Sequence, residues 1–139
     1  MNAAGSLVLA CAAMALLVAI VAVRMLLARI AEMKANRVHP QAVATSRQMA
    51  EKLHKTQAAD NYRNLFEMPV LFYALCALLI ATSKADAFFV WGAWVFVVLR
   101  YVHSYIHVSY NKVMHRLAAF ASSGAVLAVL WVRFAFQNL

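Results

Sequence analysis

Two sets of polar and ionisable residues interrupt an otherwise apolar chain: Asp60, Arg63, Asn64 and Glu67 at the mouth of one apolar stretch, and Arg100, His103, Ser104, His107 and Asn111 at the end of the next. Spacings of three and four residues put each set on one face of a helix. A charged side chain within a bilayer costs ~3 kcal/mol or more, so such residues mark substrate, ion or proton sites. Guanidinium, carboxylate, imidazole and amide groups at one level suit a zwitterionic or polyanionic ligand. His103 and His107, one turn apart, would also make a two-histidine, one-carboxylate metal site if Glu67 joined them. No third ligand is fixed by the spacing, and no metal is expected. Counting from Lys84, Glu67 lies 17 residues back and Arg100 16 forward, both ~25 Å away at the rise of a helix. Glu67 and Arg100 are therefore expected to pair as buried neighbours in a helical hairpin. Such a pair by itself would serve only register, whereas the additional amides and imidazoles favour a ligand pocket.

The elements that must carry these residues are membrane helices. Of 139 residues 65% are hydrophobic and 13% charged, and the mean hydropathy is +0.72, too little polar surface for a water-soluble domain of this size. Four stretches, Leu7–Ile30, Leu65–Ala81, Ala87–Val108 and Val113–Phe136, approach or exceed the ~20 residues that cross a bilayer. They are continuous rather than alternating, which excludes a transmembrane β-barrel. The predicted fold class is all-α, an integral membrane four-helix bundle in one domain. No Lys or Arg precedes Leu7 and the first apolar run continues past a signal core, so it reads as a retained helix. Cys11 and Cys76 fall inside apolar runs, where thiols behave as small hydrophobes, and predict neither a disulfide framework nor a zinc site.

Orientation follows from the cations. Lys34, Arg37, Arg47, Lys52, Lys55 and Arg63 separate the first two spans and Lys112 and Arg116 the last two, against Lys84 alone between the second and third. By the positive-inside rule residues 33–64 and 109–115 are expected in the cytoplasm, with both termini outside. Trp91, Trp94 and Trp131 then fall toward the outer interface. The net charge of +8 is a topology signal and an attraction for anionic lipid; no nucleic-acid motif accompanies it, and no nucleic-acid partner is expected. The stretch from Gln41 to Arg63 is predicted to be mostly helical, with a capping box over Thr45–Gln48. Pro69 cannot donate to the Leu65 carbonyl, which predicts a kink beside Glu67.

The run Asn64-Leu65-Phe66-Glu67-Met68-Pro69-Val70-Leu71-Phe72-Tyr73, followed by Arg100-Tyr101-Val102-His103-Ser104 and by Arg116, resembles the MAPEG family, membrane-associated proteins in eicosanoid and glutathione metabolism, and its bacterial branch in particular. The resemblance implies a homotrimer in a bacterial inner membrane, with glutathione held between neighbouring subunits on the cytoplasmic side. It implies that Asn64, Glu67, Arg100 and His103 bind the tripeptide, with Arg63 and an arginine of the first helix, Arg29 ahead of Arg24, adding to them. Arg116 matches the arginine that activates the thiol. Two positions depart from the family: His107, itself expected among the ligand-binding residues, stands where a tyrosine is usual, and Asp60 where a basic residue is common. The implied activity is that of a glutathione-dependent transferase or peroxidase acting on a lipophilic small molecule. A non-catalytic ligand-binding trimer and a small proton or metal carrier using Glu67, His103 and His107 are the alternatives.

Overall fold

A computed structural model describes residues 2–139. The first helix, α1 (Ala3–Ala35), starts where the Asn2 side chain accepts the Gly5 N–H at 2.8 Å, and ends at Asn36. It continues five residues past Ile30, carrying Glu32 and Lys34 beyond the apolar run. Its buried positions Leu7, Ala10, Met14, Leu17 and Val21 recur every three or four residues, the stripe a helix needs to face a bundle. Its other faces expose Val8, Leu9, Leu16, Ile20, Val23, Leu26 and Leu27, a continuous apolar surface that fits lipid and not water.

The segment after α1 is less continuous than its composition predicts. A 3-10 turn at Pro40–Val43 leads to α2 (Ser46–Lys52), opened by the predicted capping box: Thr45 Oγ accepts the Gln48 N–H and the Gln48 side chain accepts the Thr45 N–H. The chain then turns extended at Leu53 and restarts as α3 (Gln57–Asn64). The physical reason for the break is Glu32. Its carboxylate, 6% exposed, accepts the His54 N–H at 2.7 Å and the Lys55 N–H at 3.2 Å, offering those donors a charged partner in place of a helical carbonyl.

A second correction concerns the predicted span from Leu65 to Ala81. Residues 65–67 form a turn between α3 and α4 (Met68–Ala81), and Glu67 has non-helical angles (φ −96°, ψ −91°). Pro69 sits in the first turn of α4, where its missing N–H costs nothing. The expected kink is thus a full interruption, with each half ending on its own terms.

The last two helices, α5 (Ala87–Val108) and α6 (Val113–Phe136), coincide with the predicted stretches. Four segments, the second running from Gln57 to Ala81 across the interruption, are long and apolar enough to cross a membrane. The protein is an all-helical, multi-pass membrane protein. α5 packs most extensively on α6 and next on α1; Trp94 Nε1 donates to Ser6 Oγ at 3.2 Å, and the Tyr101 hydroxyl to the Ala13 carbonyl at 2.8 Å. Phe72 of α4 stacks on Phe96 of α5 at 4.7 Å in a core that also holds Leu75, Leu79, Phe89, Leu127 and Leu130. Gly92 allows close approach of α5 and α6: a Cβ there would meet Leu130 Cδ2 at 2.5 Å. Asn2, Ser83 and Ala85 share a cleft, and Lys84 Nζ reaches the Gln137 carbonyl, so both chain ends and the 82–86 turn occupy one end of the bundle.

Candidate functional site

The opposite end holds the polar residues. Arg100, on α5, is fully buried. Its Nη2 donates to the Asn64 carbonyl at 3.1 Å, and its guanidinium carbon lies 5.5 Å from the centre of the Phe120 ring. That carbonyl is available because α3 stops at Asn64, where the interruption before Pro69 removes the next turn of helical donors. Nε and Nη1 of Arg100 have no partner.

One turn further along α5, His103 Nδ1 lies 3.1 Å from the backbone carbonyl of Arg116 in the first turn of α6. A carbonyl only accepts, so Nδ1 carries the hydrogen, and in the neutral ring Nε2 is an acceptor. That Nε2 is buried and unpartnered. The Arg116 side chain is held from two directions: Nη1 lies 3.2 Å from His107 Nε2 and donates to Asn111 Oδ1 at 3.0 Å. Asn111 occupies the left-handed region (φ 48°), which asparagine tolerates better than most residues. It turns the chain from α5 into α6, and the same side chain anchors Arg116.

Asn64, His103, Val113, Arg116, Leu117 and Phe120 line a cavity of about 240 Å³. It is open on one side, with Arg100 behind its wall. The arrangement offers guanidinium donors for carboxylate or phosphate, an imidazole acceptor for a proton donor, and the aromatic face of Phe120. Among the described residues no three His, Cys, Asp or Glu side chains cluster as a metal site requires; His103 Nδ1 and His107 Nε2 are both turned toward Arg116.

The expected ion pair between Glu67 and Arg100 is absent. Glu67 is exposed, and the described residues make two other salt bridges, Arg47–Glu51 and Asp86–Arg133. The matched depth assumed a continuous helix. The turn at 65–67 leaves the Glu67 carboxylate exposed, acting on Arg100 through its charge without a direct contact, and the Arg100 guanidinium takes the Asn64 backbone carbonyl instead. Arg29 and Arg63 likewise stand apart from Arg116: with Lys55, Thr56 and Asp60 they line a second cavity, of about 120 Å³, between α1, α2 and α3. The predicted residues thus fall into three groups: Asn64, Arg100, His103, His107 and Arg116 together, Arg29 and Arg63 in the second cavity, and Glu67 on the outer surface.

Two buried polar residues escaped the sequence reading, Asn61 beside the site and Glu32 outside it. Asn61 is fully buried, and its Oδ1 accepts from Ser104 Oγ at 3.2 Å while its Nδ2 is unpartnered. Its position three residues before Asn64, on the same helix face, was the available signal. Glu32 had no local signal, because its partners lie 22 and 23 residues away.

Residues 7–136 match the model of the MAPEG family. Neither a curated protein nor a solved structure matches the chain.

Proposed function

The chain belongs to the MAPEG family, and from that premise we propose that it is a glutathione-dependent transferase or peroxidase acting on a lipophilic electrophile or lipid peroxide. The observation that carries this reading is the convergence of Asn64, His103 and Arg116 on one open cavity, with Arg100 behind its wall, and the unpartnered buried nitrogens on Arg100 and His103. A tripeptide with two carboxylates and an ammonium supplies the acceptors and donors those groups lack.

In this reading Arg100, His103 and Asn64 hold the peptide. Arg116, always charged, favours the thiolate and so raises its fraction at neutral pH. The thiol proton passes to water. The sulfur then bonds to the electrophilic carbon as the leaving group departs, or two thiols reduce a hydroperoxide to an alcohol and water with formation of one disulfide. The second substrate arrives sideways from the bilayer, through the side on which the cavity is open.

The exposed Glu67 and the separate cavity of Arg29 and Arg63 support a site shared between copies, in which a neighbouring subunit of a homotrimer brings its own side chains to the open cavity. His107 contributes through Arg116. The cations between the first two and last two spans support a cytoplasmic location for this end and an outer location for both termini, in a bacterial inner membrane. The test is conjugation of glutathione to a small aromatic electrophile, and reduction of a lipid hydroperoxide, by protein purified in mild detergent, with native mass spectrometry of the same sample. Turnover by a trimeric species is expected. Absence of both activities together with no thermal shift on adding glutathione overturns the reading.

A further inference from the structure

His107 Nε2 lies 3.2 Å from Arg116 Nη1. A guanidinium nitrogen in a protein can only donate, so this contact requires Nε2 to be the acceptor and the imidazole to be neutral, with its hydrogen on Nδ1. An imidazolium has two donors and no acceptor. Its formation would replace a hydrogen bond by two cations in contact, and Arg116 would keep only Asn111. We infer that His107 is the positioning residue of Arg116, holding the guanidinium at the cavity while the ring is neutral and releasing it when the ring is protonated. The inference rests on the reading of the 240 Å³ cavity as a thiol site and adds to it a control by pH.

The surroundings support this assignment. His107 is 2% exposed and Nδ1 has no other partner, so a fixed contact orients the ring on the Arg116 side only. The charged and titratable groups around it are Arg116 from α6, Asp60 from α3, Arg24 from α1 beside Ser104 and Val108, and His103 and Arg100 on its own helix. Asp60 is the single anion among them. Asp60 also lines the second cavity beside Arg29, Lys55 and Arg63, where three cations compete for it. His103 does not substitute for His107, because its Nδ1 faces the Arg116 backbone and not the guanidinium.

The first test needs no ligand. In nitrogen-15 NMR of histidine-labelled protein in detergent at neutral pH, His107 is expected as the Nδ1–H tautomer, with an Nε2 resonance that moves in Arg116→Leu. An Nε2–H tautomer or an imidazolium at neutral pH overturns the inference. The second test uses glutathione sulfonate, whose sulfur group carries a charge that does not titrate in this range. Its affinity for the wild type is expected to fall about tenfold, the value of one charge-assisted hydrogen bond, only on acidification below the ordinary imidazole range, where the buried ring held against a guanidinium is protonated. His107→Gln, which keeps an acceptor at every pH, is expected to bind with a flat profile, and His107→Leu to bind weakly throughout. A profile in His107→Gln that follows the wild type overturns the inference. Failure of the wild type to bind glutathione sulfonate at any pH removes the thiol-site reading instead, and the tautomer then decides the role of His107 by itself.

Discussion

The two ends of the bundle treat charge in opposite ways, half-exposed and paired at one, buried and partly unpartnered at the other. At the end that carries the chain termini, Asp86 caps α5 by accepting the Phe89 N–H at 3.1 Å, and the same carboxylate binds Arg133 Nη2. The Arg133 guanidinium lies over Phe88 at 4.4 Å and near Phe89 at 5.3 Å, and Lys84 reaches the Gln137 carbonyl and the Asn138 side chain. Each cation there has an anion or carbonyl supplied by the same chain, and among the described residues Arg133 Nε and Trp131 Nε1 are left over. At the other end Arg100 has two unpartnered nitrogens, and Asn61, His103 and His107 have one each. Buried polar groups without partners cost ~1–3 kcal/mol apiece. Five such atoms, four of them between Arg100 and His107 on α5 and one on Asn61 of the facing α3, support the reading of this end as a binding site and of the first end as a clasp.

The sharpest break between the ends is kinetic. Arg116→Leu is expected to lower kcat for thiol conjugation by about 10²–10³-fold, the range for removing one charge-stabilising donor, while glutathione still binds in a thermal-shift titration. Unchanged turnover would make Arg116 a membrane anchor. Arg100→Leu separates binding from stability: glutathione affinity is expected to fall, yet the melting temperature in detergent should hold or rise, because a buried cation with two orphaned donors is replaced by an apolar side chain worth ~1–3 kcal/mol in relief. A large loss of stability would show Arg100 to be a structural clasp like Arg133.

Smaller effects lie outside both clusters or at the first end. Glu32→Ala removes the carboxylate that accepts the His54 and Lys55 N–H groups and is expected to cost ~1.5–3 kcal/mol locally, read as faster hydrogen exchange at those two amides. Asp86→Ala removes a helix cap, at ~1 kcal/mol, with no change in glutathione affinity. The Asp86 carboxyl also has a pH signature. Burial pushes its pKa up, but the Phe89 N–H and the Arg133 guanidinium outweigh burial and hold it below the usual carboxylate range. A depressed carboxyl contributes stability that is present above the unfolded-state value of about 3.9 and is lost as pH falls through the lower folded-state value. The stability difference between wild type and Asp86→Asn is therefore expected to be constant at neutral pH and to shrink only in strong acid, measured by thermal melts.

Local chemistry settled the helical class, the spans at 87–108 and 113–136, the Thr45 capping box, and the placement of Arg100, His103 and His107 on one helix face. Each follows from rules that act within a few residues: apolar periodicity, a side chain reaching the N–H three positions on, a helix rise that makes depth proportional to sequence distance. What the rise cannot predict is a change of direction. The turn at 65–67 carried Glu67 outward and made the Asn64 carbonyl the partner of Arg100, and the buried Glu32 carboxylate broke the segment after Lys52 from 22 residues away. Which of the matched residues meet was decided only in the folded bundle, where backbone groups released at helix ends compete with side chains for the same charges.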